Sequence, residues 1–283
     1  MRVEELPLST RSAEAPPPAD AAGRVRQPRG AASDALGRVW VADFGNQRVQ
    51  LFGQDGTSLL AFGARGSGPG QFKDPCGIAV GPSGLVFVAD TWNGRVQVFD
   101  DKGAWLREWG GDFFGPRGIA VDTGGTVFLS DTGNGRVVRS DGFGHKETEW
   151  GTAPGPGKLA DPQGLVAGVD GNVYVADNGN GRVAIFDRNG AFLRTFAVAG
   201  WRREVLSEPY LALDSKGLLW VSVPLAGEVR AYTKEGRLVT ALRGVNQPEG
   251  RKFEKPSGLA LLPGGRLFVA DLEGRFAIVP LPK

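Results

Sequence analysis

The chain has 283 residues, 41% of them hydrophobic, and its 33 Lys and Arg nearly balance its 31 Asp and Glu. That length buries a large core without cross-links, and the balanced charge excludes the single-sign field of a dedicated nucleic-acid binder. A single cysteine, Cys76, excludes an internal disulfide, and no apolar run reaches the roughly 18 residues of a membrane-spanning helix.

Residues 1–10, MRVEELPLST, contain two acids and no apolar stretch long enough for a signal segment. The chain as given therefore reads as soluble and unexported, cytoplasmic by default and extracytoplasmic if it is a fragment of a membrane-anchored protein. The next stretch, residues 11–27, contains AEAPPPADAAG and has the composition of a linker.

Beyond it the chain repeats. The clearest copy is FKDPCGIAVGPSGLVFVADTWNGRVQVFDDKGAWLREWG, Phe72 to Gly110, which divides into four apolar runs: Gly77 to Val80, Leu85 to Asp90, Arg95 to Phe99 and Ala104 to Trp109. Gly-rich turns separate them, so the unit reads as a four-stranded antiparallel meander. The second run is continuously apolar, which in a strand means that both faces are covered. A lone meander cannot cover itself and must stack on copies.

The aspartate ending the second strand recurs as Asp43, Asp90, Asp131, Asp177 and Asp271, with Val223 in the fifth copy, at steps of 47, 41, 46, 46 and 48 residues. That period is the length of a four-stranded propeller blade. Each copy begins at a proline (Pro28, Pro75, Pro116, Pro162, Pro209, Pro256), which suits the first residue of a strand and favours an extended conformation just before it. The turns between first and second strands (GPSG, DTGG, GVDG, DSKG, LPGG) and between third and fourth (GQDG, DDKG, DRNG, TKEG) end in Gly. The sixth copy runs out after its third strand, near Ile278 to Leu281. The expectation is one all-β domain, a six-bladed β-propeller with blades at 28–63, 75–110, 116–151, 162–198, 209–244 and 256–283. Residues 3–10 would supply the missing strand, leaving no open edge, with residues 11–27 as the longest loop between blades.

The motifs P-x-G-I-A-V, V-A-D and N-x-R-V, complete around Asp90 as PCGIAV, VAD and NGRV, resemble those of the NHL-repeat proteins, which are six-bladed propellers. The resemblance covers essentially the whole chain. Copies 2, 3 and 4 match well, and copy 1 has RGAAS in place of GIAV. Copy 5 places Val223, Ala226 and Glu228 where copy 2 has Asp90, Asn93 and Arg95, and copy 6 shortens the turn to DLEGR. The WD dipeptide of the related WD40 propellers is absent.

Recurrence separates scaffold from site. Asp43/Asn46/Arg48 and their equivalents Asp90/Asn93/Arg95, Asp131/Asn134/Arg136 and Asp177/Asn180/Arg182 recur in four copies, so they read as turn architecture. Some enzymes similar to NHL propellers are lyases that hold zinc through several histidines; this chain has only His145, placed in an outer turn of copy 3, and no catalytic residue or cofactor is assigned. Asp74, Asp161 and Glu208 each precede a blade-initial proline and form the one candidate set for a hard cation, although so few acids need carbonyls or water to complete a shell.

Apart from a repeated Arg, the residue after each of those prolines differs from blade to blade: Arg29, Cys76, Arg117, Gln163, Tyr210 and Ser257. With Phe44, Trp92 and Asn178 on the second-to-third strand turns, they are expected to ring the channel mouth, with Phe44, Trp92 and Tyr210 exposed beside Arg29 and Arg117 in the manner of a binding hot spot. Arg202, Arg203, Arg251, Lys252 and Lys255 share that face but are diluted by Glu204, Glu208, Glu249 and Glu254. The reading is a monomeric, non-enzymatic scaffold or sensor propeller that binds a protein or peptide partner at its upper face. The alternatives are a divalent-cation-dependent hydrolase or lyase, and single-stranded RNA binding of the kind found in RNA-binding members of the family.

Overall fold

A computed structural model describes residues 23–201, 208–244 and 252–282. Among these residues the strands form five four-stranded antiparallel sheets and one three-stranded sheet, each with its strands in chain order, plus a short parallel pair, Ala64–Arg65 with Gln71–Phe72, between the first two sheets. The second blade is typical: Pro75–Val80, Val86–Asp90, Arg95–Phe99 and Trp105–Gly110. The first strands, Ala31–Ser33, Pro75–Val80, Pro116–Val121, Pro162–Ala167, Leu211–Leu213 and Pro256–Leu262, each contact the first strands of both neighbouring blades. They line the axis of a closed six-bladed propeller.

Six apolar clusters, one in each seam between blades, explain the continuous apolar runs. Val86–Asp90 is buried along its whole length, with Val86 and Val88 facing Trp40, Val49 and Phe72 on one side, and Phe87 and Ala89 facing Ile119, Val127 and Leu129 on the other. The seam that closes the ring is built the same way, from Val39, Val41 and Phe52 of blade 1 with Ala260, Phe268 and Ala270 of blade 6. There the Phe52 ring lies 4.8 Å from that of Phe276, and Ser257 Oγ donates to Pro28 O at 2.8 Å. Residues 3–10, the expected closing strand, lie outside the described residues. So does residue 11–22 of the expected long loop.

In four of the six blades the residue before the blade-initial proline departs from the expectation of extended backbone. Gln27, Asp74, Gly115 and Asp161 have φ of 47°, 58°, 61° and 55°. Asp tolerates the left-handed region, and side-chain bonds hold it there. Gln47 Nε2 donates to Asp74 Oδ1 at 2.6 Å, and Asp74 N donates back to Gln47 Oε1 at 2.7 Å. This turn aims the chain at the axis, where a bulge follows at once: the register shifts between Pro75 and Ile78, Pro116 and Ile119, Pro162 and Leu165, and Pro256 and Leu259. The bulged residues include Cys76, Arg117, Gln163 and Ser257, so irregular backbone sets where these side chains point.

Candidate binding site at the channel mouth

The recurrent aspartates are buried hubs. Asp90 Oδ1 accepts from Lys73 N at 2.7 Å, and its Oδ2 accepts from Asn93 Nδ2 at 2.8 Å, Arg95 Nε at 2.8 Å and Gln97 Nε2 at 3.1 Å. Blades 1, 3 and 4 repeat the backbone, Asn and Arg bonds from Asp43, Asp131 and Asp177, and blade 1 the glutamine bond as well, from Gln50. In blade 5, which lacks the aspartate, Val223 packs with Trp201 in the seam and Glu228 pairs with Arg230 and Arg243. Each hub ties down the loop that enters its own blade. Asp131 holds Phe114 N at 2.7 Å and Asp177 holds Ala160 N at 2.7 Å, while Asn180 and Arg182 both donate to Lys158 O.

Those two loops border a cleft of about 1270 Å³ on the upper face of blades 2 to 4. Trp92, Phe114 and Lys158 stand at its rim, and Arg117, Gln163 and Glu208 close it toward the axis. Trp92 is 49% and Phe114 60% exposed, and Phe114 lies over Gly133, where a Cβ would come within 2.2 Å of its ring.

The ring of residues after the prolines is where expected in the plane, but it is far less exposed. Cys76, Gln163, Tyr210 and Ser257 are buried, and Arg29, Arg117 and Phe44 are half-buried. The expectation of an exposed Tyr210 is corrected. The reason is how closely the first strands converge: a Cβ on Gly77, Gly118 or Gly258 would stand 2.2, 2.2 or 2.1 Å from the carbonyl oxygen of Arg117, Gln163 or Arg29 in the next blade, and one on Gly164 would stand 2.7 Å from Tyr210 Cα. Only glycine fits there, and the residue before it is drawn inward. Burial pushes the Cys76 thiol up to about 12 and raises the Tyr210 phenol well above its ordinary value, so both stay neutral.

The centre of the ring is ionic. Glu208, 3% exposed, lies between two guanidinium groups: Arg117 Nη1 donates to its Oε1, and Arg29 Nη1 stands 2.9 Å from its Oε2. The second contact is not aligned as a hydrogen bond, which leaves Glu208 Oε2 buried without a hydrogen-bond partner among the described residues; Arg29 Nε is buried without one as well. Burial acts to lower the Arg117 pKa, but the attraction and hydrogen bond of Glu208, with contributions from Cys76 and Tyr210, together outweigh it and leave the group above its ordinary value. Arg29 also stacks over Phe44, 4.4 Å from the ring centroid.

The three acids considered for a cation are each engaged by a partner. Asp74 bonds Gln47, Asp161 accepts from Gln163 Nε2 at 2.8 Å and Asn178 Nδ2 at 3.1 Å, and Glu208 holds the two arginines. Among the described residues no group of three or more His, Cys, Asp or Glu is placed to hold a metal ion. His145 sits in the outer turn of blade 3, bonded to Asp141. No helix among the described residues is long and apolar enough to cross a membrane. Arg202, Arg203, Glu204, Glu249 and Arg251 lie outside the described residues. Lys255 pairs with Glu273, and Glu254 with Arg275.

Phe114, Lys158 and the central role of Glu208 did not emerge from the sequence reading. A signal for the first existed: the backbone N–H that reaches the hub aspartate belongs to Arg26, Lys73, Phe114, Ala160 and Glu254, always 17 residues upstream. Extending the repeat into the loops by that offset marks one loop residue for each of these five hubs, Phe114 among them.

Comparison with known proteins supports the fold. The chain resembles the gluconolactonase XC5397 of Xanthomonas campestris at 18% identity over 96% of this chain and 99% of that one, with a TM-score of 0.68. A catalytically inactive histidine-to-alanine variant of virginiamycin B lyase from Staphylococcus aureus, solved with quinupristin, matches at 15% identity over 92% and 86%, TM-score 0.62. A chain of a nidogen/laminin complex matches at 18% identity over 77% and 80%, TM-score 0.63. A comparison with curated proteins returned no match. The NHL repeat matches residues 25–52, 72–99, 113–139 and 159–186, the four blades that carry the aspartate–asparagine–arginine hub. With four such repeats in a closed ring of six blades, the chain belongs to the NHL-repeat β-propellers.

Proposed function

We propose that this propeller is a binding module rather than an enzyme, and that its upper-face cleft takes a peptide segment of a partner protein. One observation carries the reading: two large exposed aromatics, Trp92 and Phe114, flank the cleft beside Arg117, on loops that the hubs hold in place. Aromatic and arginine side chains on a pre-ordered surface lose little entropy on binding and dominate the energetics of interfaces. The chain found with laminin is a precedent for a protein partner on this fold. Enzymes also use the fold, but catalysis at this cleft lacks a motivating group: both carboxylates that line it, Asp161 and Glu208, are engaged by amides or guanidinium groups.

The test is selection from a displayed library of random peptides, with the Trp92→Ala/Phe114→Ala double variant as counter-target. The reading expects peptides that bind the parent and lose at least about tenfold in affinity on the variant, whose melt stays unchanged. Failure to select any, or ligands indifferent to the double variant, would overturn it.

A further inference from the structure

The charges around the cleft do not balance, and the imbalance points to what binds there. Arg29 and Arg117 share one carboxylate, Glu208, so this cluster retains one positive charge. Cys76 and Tyr210, the titratable groups packed beneath it, do not offset that charge because both are neutral. Arg117 spends Nη1 on Glu208, and its guanidinium makes no other hydrogen bond among the described residues while lining the cleft. Across the cleft, the exposed Lys158 makes no ion pair among the described residues; Asp161 lines the same cleft and keeps its negative charge, since its partners Gln163 and Asn178 are neutral amides, and Asp177 is paired with Arg182, so Arg29, Arg117 and Lys158 exceed Glu208 and Asp161 by one positive charge.

We propose that the cleft selects its ligand by a carboxylate, an acidic side chain of the bound peptide, gripped by Arg117 and Lys158. Arg29 acts as a positioning residue: by taking half of Glu208 it leaves Arg117 with donors for a second acid. A guanidinium can serve two carboxylates because its five N–H donors form a planar fork. A half-buried one holds an incoming acid against less screening than a surface lysine does. The aromatic rim supplies contact area, and the arginine supplies selectivity.

This inference rests on the peptide reading, and the experiment separates the two. The probes are triglutamate, triglutamine and trilysine, each acetylated at the N-terminus and amidated at the C-terminus, titrated calorimetrically at low salt. Triglutamate is expected to bind the parent at least about tenfold more tightly than the other two, with Arg117→Ala or Lys158→Ala removing most of that preference. The distinguishing result is a pair of opposite signs. Arg29→Ala should weaken triglutamate binding, because Glu208 then neutralises Arg117 alone, and Glu208→Gln should strengthen it. A purely structural role for the cluster would make both changes weaken binding, and that outcome, like the absence of any preference for triglutamate, overturns the proposal. If Glu208→Gln does not fold, Arg29→Ala/Glu208→Gln removes one charge of each sign and should bind triglutamate at least as well as the parent. Display ligands that depend on Trp92 and Phe114 but ignore Arg117 would sink the carboxylate anchor and keep the peptide reading. Triglutamate held by Arg117 with no display ligand would do the reverse.

Discussion

Replacing Asp90 with alanine tests whether the repeated hub is architecture. The carboxylate is fully buried and accepts four hydrogen bonds, from Lys73 N, Asn93, Arg95 and Gln97. Three of the donors keep another acceptor after the change: Asn93 bonds Gly66 O, Gln97 bonds Gln71 O, and Arg95 reaches Ser67 O, Gly68 O, Gln71 O and the carboxylate of Glu108. The Lys73 amide loses the one acceptor it has. Breaking a buried ion pair from one side costs about 3–5 kcal/mol, and the surviving acceptors place this case near the lower end, about 3 kcal/mol. At about 2–4 °C per kcal/mol for a chain of roughly this size, the melting temperature should fall by about 6–12 °C. Thermal denaturation followed by circular dichroism measures it, beside Asp90→Asn, which keeps the shape but turns one acceptor into a donor facing other donors. A drop below about 2 °C for Asp90→Ala would show that the hub does not hold the blade, and with it the recurrence argument would fail.

Phe52→Ala removes a fully buried ring from the seam between blades 1 and 6, where it meets Phe268 and Phe276. A cost of about 3–5 kcal/mol by denaturant unfolding is expected, and a much smaller one would mean that this seam does not close the ring. Residues 3–10 are proposed to pair with Arg275–Pro280, which has one strand partner among the described residues. Deleting residues 1–10 should lower the melting temperature markedly, and an unchanged melt would reject that pairing. Asp170 couples blade 4 to blade 5 through Lys234 Nζ at 2.7 Å and also accepts from Tyr174 at 2.8 Å. Burial acts to raise its carboxyl, but the bonds from Lys234, Tyr174 and the Asn172 backbone outweigh it and leave the pKa below the ordinary value. A depressed folded pKa gives stability that is present above the unfolded carboxylate pKa of about 3.9 and lost as pH falls through the folded value. Asp170→Asn should therefore narrow its stability deficit against the parent as the pH is lowered through that range, and a deficit constant with pH would contradict the assignment.

The period of the hub aspartates was enough to count blades, because each blade buries its second and third strands against its neighbours and leaves a continuous apolar run in the sequence. The ring of Arg29, Cys76, Arg117, Gln163, Tyr210 and Ser257 was legible by position for the same reason. Its burial was not, since that depends on how closely the first strands of different blades approach, and the only trace in the sequence is the glycine that follows five of them. The left-handed turns at Asp74 and Asp161 were misread because the proline rule is local, whereas the bonds from Gln47 and Asn178 that hold them come from elsewhere in the fold. Glu208 was hardest of all. Its partners Arg29 and Arg117 belong to other blades, and no spacing within one repeat connects them.

The most direct measurement is a backbone amide map of the parent protein on titration with a display-selected peptide. The account predicts that shifts gather on the loops carrying Trp92, Phe114 and Lys158 and on the strand carrying Arg117. Shifts confined to an outer strand such as Trp105–Gly110 would contradict it.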